Sequence, residues 1–173
     1  MKKALLIYFQ DFHTVNDGGS LVNKRNAEMV TQILGKENVD FYFVNNTKKR
    51  SLLSLAFAAF LFPFGYFNGL TPNKLKSIIK MSNKYDYILI NTSLFGIIAK
   101  KLKENGYKGK VISFFHNIER YYYEARVSKK LPFRNIVINC AAKNDEYSIK
   151  HASISIGLCE RDCNILQKEY GKE

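Results

Sequence analysis

The chain has 173 residues, 46% of them hydrophobic and 14% aromatic, a composition that suits one compact domain and excludes disorder of the whole. Its formal net charge of +12 sets up a positive field that attracts anions, whether nucleic acid, acidic lipid or phosphorylated substrates, without choosing among them. Three cysteines, Cys140, Cys159 and Cys163, form no CxxC pair and no His/Cys spacing of the zinc-finger kind, which fits a reducing, cytoplasmic setting.

Met1-Lys2-Lys3 is followed by an apolar run from Ala4 to Phe9 that Gln10 and Asp11 end. That run is too short for a signal-peptide core and reads as a first strand. A polar loop, residues 10–20, closes on Gly18-Gly19-Ser20 and opens into a helix expected over residues 21–34, with Gly35 at its C-cap. Val39 to Val44 reads as strand two.

Between Arg50 and Lys74 there is no charged residue, and residues 52–67 are apolar and aromatic. A helix over residues 52–62 is about 16 Å long, roughly half the hydrocarbon thickness of a bilayer, and Pro63, Gly65 and Asn68-Gly69 break it. Such a helix cannot span. It is either buried against the sheet or interfacial, with Lys48-Lys49-Arg50 beside it to meet anionic headgroups.

Leu75, Ile78, Ile79 and Met81 space a helix over residues 72–82, with Pro72 in its first turn. Residues 87–90 form strand three, 93–105 a helix ending at Gly106, and 110–115 strand four. Helical stretches at about 119–128 and 134–150 lead to strand five over 152–156 and a last helix over 160–170. Short apolar strands alternating with helices predict an α/β fold, a Rossmann-like doubly wound parallel sheet with helices on both faces. One domain occupies residues 1–173, and ligands of such sheets bind at the carboxyl ends of the strands.

Two places at that edge carry candidate chemistry. The Gly18-Gly19 pair lets a backbone pass close to a ligand, and the helix start behind it offers free N–H groups to a phosphate. The spacing is neither GxGxxG nor a P-loop, and a tight strand-to-helix connection explains the same glycines. His116 stands just past the end of strand four in Phe114-Phe115-His116-Asn117-Ile118-Glu119. An imidazole there can donate to a developing negative charge or bind a sugar hydroxyl, though an isolated histidine is as readily a structural one. His13 sits similarly in the first loop, and His151 reads as a surface residue. Most of the lysines fall at element ends and polar faces, as solvated faces require.

In order and spacing, these pieces resemble the amino-terminal domain of the family-4 retaining glycosyltransferases along the whole chain. The resemblance rests on Asp17-Gly18-Gly19-Ser20 with Lys24 and Arg25 in the helix that follows, on residues 85–90, and on residues 111–119. It continues through Asn144-Asp145-Glu146, residues 152–156, Glu160-Arg161-Asp162-Cys163 and Tyr170-Gly171. The resemblance implies a GT-B architecture in which two Rossmann-like domains face each other across a cleft, the amino-terminal one holding the acceptor. By position, it implies that the Gly18-Gly19 backbone approaches the donor diphosphate and that the catalytic His116 contacts the transferred sugar. It also implies acceptor contacts at His13, Arg120 and Tyr121, residues that a partly exposed helix surface explains equally well.

The family's paired glutamates with seven residues between them, which grip the donor in the carboxy-terminal domain, do not occur in the sequence. The expectation is therefore an acceptor-side lobe whose donor-binding domain is absent, inactive by itself. The implied partners are a nucleotide-sugar donor, as co-substrate, and a glycan or lipid-linked acceptor in surface polysaccharide or lipopolysaccharide assembly. An anionic membrane surface is a further partner, at the cytoplasmic face. No metal and no other cofactor are expected. Two rivals share the fold: a non-catalytic basic module for acidic membrane or nucleic acid, for which no recognised nucleic-acid motif speaks, and a GT-B-fold epimerase.

Overall fold

A computed structural model describes residues 1–11, 18–45 and 60–171. Among them, strands β1 (Ala4–Tyr8), β2 (Val39–Phe43), β3 (Tyr87–Ile90), β4 (Lys110–Phe115) and β5 (Ile154–Gly157) form one all-parallel sheet in the order β2-β1-β3-β4-β5. The helices are α1 (Gly18–Leu34), α2 (Pro72–Ser82), α3 (Gly96–Glu104), α4 (Glu119–Arg126), α5 (Arg134–His151) and α6 (Glu160–Tyr170). The chain is thus a Rossmann-like, doubly wound α/β protein.

The side-chain alternation of the strands sorts the core into two layers. Leu5, Ile7, Ile88, Ile90 and Val111 point to one face, where Leu75 and Ile78 of α2 and Ile97, Ile98 and Leu102 of α3 cover them. Ala4, Leu6, Tyr8 and Leu89 point to the other, against Ala27 of α1. Register places Ile112 and Phe114 of β4 opposite Ile154 and Ile156 of β5 on that second face. There β5 is an edge strand with both isoleucines exposed.

Local chemistry sets the element ends. Thr71 caps α2, its Oγ1 accepting from the Lys74 N–H at 3.4 Å, and Pro72 takes the first helical position, where its missing N–H costs nothing. Gly35 (φ 85°) and Gly106 (φ 74°) adopt the left-handed backbone after α1 and α3 that glycine alone takes without strain.

Three elements start elsewhere than expected. α1 begins at Gly18, so the glycine pair forms its first turn rather than the loop before it. Residues 93–95 form a 3-10 turn, because the Thr92 hydroxyl accepts from the Leu94 N–H at 3.3 Å and tightens the start. β5 starts at Ile154, since the Ala152 N–H still closes α5 on Ser148 at 3.2 Å.

Much of the expected apolar helix, together with Lys48-Lys49-Arg50, lies outside the described residues. Beyond it the chain makes a 3-10 turn, Phe62–Phe64, then takes left-handed backbone at Gly65 (φ 87°), Asn68 (φ 47°) and Gly69 (φ 82°). Pro63 and these residues do break the apolar run, as their conformational preferences require. Among the described residues, no helix is long and apolar enough to cross a membrane.

Candidate functional site

The carboxyl ends of β1, β3 and β4 meet the start of α1, and buried asparagines tie them together. Asn91 follows β3 and is 1% exposed. Its N–H donates to Ile7 in β1 at 2.9 Å, its Oδ1 accepts from Asn26 Nδ2 at 3.0 Å, and its Nδ2 donates to Asn23 Oδ1. Asn23 and Asn26 are one turn apart on α1, so both side chains face the sheet. This clasp fixes the first turns of α1 over the strand ends.

His116 joins the cluster from β4. Its ring packs edge-on against Phe114 with centroids 5.1 Å apart, and its Nε2 lies 2.9 Å from the Asn91 carbonyl oxygen. A carbonyl only accepts, so Nε2 carries the proton and donates it. Burial is the main cause that pushes the imidazole pKa below its ordinary value, which favours the neutral ring at neutral pH. A neutral ring protonated at Nε2 leaves a lone pair on Nδ1. His116 is therefore built to accept a hydrogen bond, such as one from a sugar hydroxyl, with its own N–H already committed to the protein.

Gly18 and Gly19 are exposed at the start of α1. Neither has the left-handed backbone that demands glycine, and a Cβ at Gly18 meets nothing within 4 Å among the described residues. Packing against them does not select glycine at position 18. The N–H groups that open this 17-residue helix are of the kind that attract an anion. His13 lies outside the described residues.

Arg120 and Tyr121 lead away from this cluster. Arg120 Nε bonds Glu124 at 3.1 Å and its Nη1 lies 3.8 Å from Glu169, while the Tyr121 hydroxyl donates to Glu169. Both side chains link α4 to itself and to α6. Arg120 also lines a hollow of about 500 Å³ with Phe62, Ile136 and Lys143, whereas Tyr121 borders another of about 600 Å³ with Asn117 and Arg161. A third hollow, about 540 Å³, lies at the amino edge of the sheet beside Lys2, Tyr87 and Lys110.

Two buried carboxyls stand behind His116. Glu119 opens α4 and is 4% exposed, and Asp145 of α5 is fully buried. Burial first, then the neighbouring Asp145, pushes the Glu119 carboxyl up to about 8. Burial likewise lifts Asp145 to about 7, against the pull of the Arg120 N–H that donates to its Oδ2 at 3.0 Å. Asp145 Oδ1 has no hydrogen-bond partner among the described residues. At neutral pH the pair therefore holds protons that exposed carboxyls would have released. The sequence gives no sign of this part for either residue, because nothing in their spacing shows that α4 and α5 bring them together. Asn23, Asn26 and Asn91 were also missed, although an asparagine ending an apolar strand and an i,i+3 asparagine pair in the facing helix are a readable signal.

Among the described residues, no group of three or more His, Cys, Asp or Glu side chains could hold a metal ion. No protein-family model matches this chain, and no curated protein matches it in sequence.

Proposed function

We propose that the chain is the acceptor-side, amino-terminal lobe of a retaining glycosyltransferase of two Rossmann-like domains, moving a sugar from a nucleotide donor onto a glycan or lipid-linked acceptor. The observation that carries this reading is the Asn91–His116 pair at the carboxyl edge. It pairs an imidazole that donates from Nε2, and so keeps Nδ1 as its accepting nitrogen, with the glycine-led start of α1. Those are the two groups a sugar diphosphate requires: an acceptor for a sugar hydroxyl, and N–H groups for the diphosphate oxygens.

In this reading the backbone at Gly18-Gly19 stabilises charge as the diphosphate departs, without a metal. His116 orients the transferred sugar. The opposing domain supplies the grip on the nucleotide that this sequence lacks. The work is done at the cytoplasmic face, in the assembly of a surface polysaccharide or lipopolysaccharide.

The test is His116→Ala in the protein together with its donor-binding half. Turnover of the sugar nucleotide falls by about 100-fold or more, as loss of a positioning hydrogen bond at a reacting centre produces. The melting temperature changes little, since one hydrogen bond to a carbonyl contributes only about 1 kcal/mol. Unchanged turnover at normal stability makes His116 a structural residue and removes the chief support for the reading.

A further inference from the structure

The molecule exposes several large apolar side chains, and five of them gather on one basic surface. Phe60 and Phe64, at 68% and 58% exposure, lie beside each other with their rings tilted and centroids 6.0 Å apart. Across a shallow hollow from Pro63 lies Ile136 of α5, with Phe133 one turn before it at 60% exposure and Leu131 just ahead at 53%. Lys143, two turns along α5 from Ile136, donates its Nζ to the Pro63 carbonyl at 3.2 Å and ties the two segments into a single surface. Side chains of this size are ordinarily buried, and so many exposed together mark a contact face.

The charges beside this face are predominantly positive. From Val127 to Asn144 the sequence has four basic residues, Lys129, Lys130, Arg134 and Lys143, and no Asp or Glu. From Phe41 to Tyr85 it again has no acidic residue. Arg134 is spent internally on the Glu124 and Val127 carbonyls, but Lys129 and Lys130 are exposed beside Leu131. Glu146, the acid among the described residues that line the hollow, is engaged by Lys150 at 2.6 Å.

We infer that this face docks on an anionic phospholipid bilayer, with Phe60, Phe64, Leu131, Phe133 and Ile136 entering the headgroup boundary and Lys129, Lys130 and Lys143 meeting the lipid phosphates. Phenyl rings with a lysine rim, and with Glu146 already paired to Lys150, match an interface that is apolar below and negative above. Single-stranded nucleic acid would use the lysines and stack bases on the rings, but would leave Leu131 and Ile136 in water. The face docks in this way whether or not the chain serves a transferase. Docking also has a geometric consequence. α5 leads into a parallel strand, so its first turn lies at the carboxyl edge of the sheet, and contact there brings the Asn91–His116 cluster toward the membrane.

Flotation of the 173-residue chain with vesicles of phosphatidylcholine, with and without ~30% phosphatidylserine, tests this. The chain is expected to float with the anionic vesicles and to lose at least tenfold in partition coefficient on the neutral ones or in ~0.5 M salt, where the screening length falls to about 4 Å. Phe64→Ser with Phe133→Ser, and separately Lys129→Glu with Lys130→Glu, each lower the partition coefficient at least tenfold. Circular-dichroism melts of both variants stay within a few degrees of the native chain, since all four residues are exposed. Ile33→Ser, an exposed apolar residue on α1 across the sheet, floats normally. Absence of flotation, or variants that float like the native chain, overturns the proposal. So does a dimer in sedimentation velocity, without flotation, that the phenylalanine variant converts to monomer, which assigns the face to a second copy. Salt-sensitive binding of random single-stranded DNA without flotation overturns it as well.

Discussion

Replacing Gly96 by alanine is expected to lower the unfolding free energy by about 3 kcal/mol and the melting temperature by roughly 10 °C. Gly96 starts α3 where that helix crosses α5, and a Cβ there sits 1.9 Å from the Asn144 carbonyl oxygen and 2.8 Å from Ser148 Oγ. The first of these is backbone, which no rotamer change can move. Relief therefore requires α3 and α5 to separate. Separation breaks the hydrogen bond that Asn144 makes between them and disturbs the others it makes. Its Oδ1 accepts from the Ile97 N–H at 2.9 Å, and its Nδ2 donates to the Gly65 and Cys140 carbonyls, also at 2.9 Å. Asn144 is fully buried, so groups that lose it are left without water as a substitute. Thermal denaturation of Gly96→Ala measures the effect, and a shift of only a degree or two shows that the helices have room.

The second large effect is a fall in stability with rising pH that arises from Glu119 and Asp145. In the unfolded chain these carboxyls titrate at their ordinary values, near 4.5 and 3.8, while in the folded protein they titrate at about 8 and about 7. Between these limits the native state holds more protons than the unfolded one. Stability therefore decreases as pH rises through the window from about 4 to about 8 and is lowest above it. For each carboxyl taken alone the gross contribution is on the order of 4 kcal/mol across that window.

Asp145→Asn removes one of the two charges and keeps an oxygen for the Arg120 N–H. The variant is expected to be more stable than the native protein at pH ~9 and to show a shallower slope of unfolding free energy between about pH 5 and 8. Other groups facing the pair, Glu169, Tyr170 and Tyr123, are present in both proteins, so the difference between the two curves isolates it. Parallel curves in urea titrations at several pH values contradict this assignment. The pair sits at the junction of α4 with α5, immediately after His116.

Element order and type were legible because the strands are short apolar runs separated by capped helices. Pro72 behind Thr71, Gly35 and Gly106 punctuate the chain with residues whose backbone preferences admit few alternatives. The ends that moved did so for local reasons invisible to periodicity. A threonine hydroxyl tightened residues 93–95 into a 3-10 turn, and a last helical hydrogen bond delayed β5 by two residues. The site was half legible. His116 could be placed at the carboxyl edge from its position after an apolar strand. Its tautomer could not, because the carbonyl that receives its proton comes from Asn91, 25 residues earlier. Arg120 and Tyr121 were expected as acceptor contacts through the family resemblance, and their protein partners were not legible. Their side chains bond Glu124, one turn along the same helix, and Glu169, which only the docking of α6 brings near.

Binding of a sugar nucleotide by the Asn91–His116 cluster and the start of α1 is the central proposal for this molecule. Titration of the isotopically labelled chain with UDP-, GDP- and ADP-sugars at ~0.3 M salt, followed by NMR, tests it most directly. At least one of them, at millimolar concentration, is expected to shift the amides of Gly18, Gly19 and Asn91 and the His116 ring, with an affinity insensitive to further salt. Shifts confined to exposed lysines that vanish with added salt, or none at this edge, contradict it.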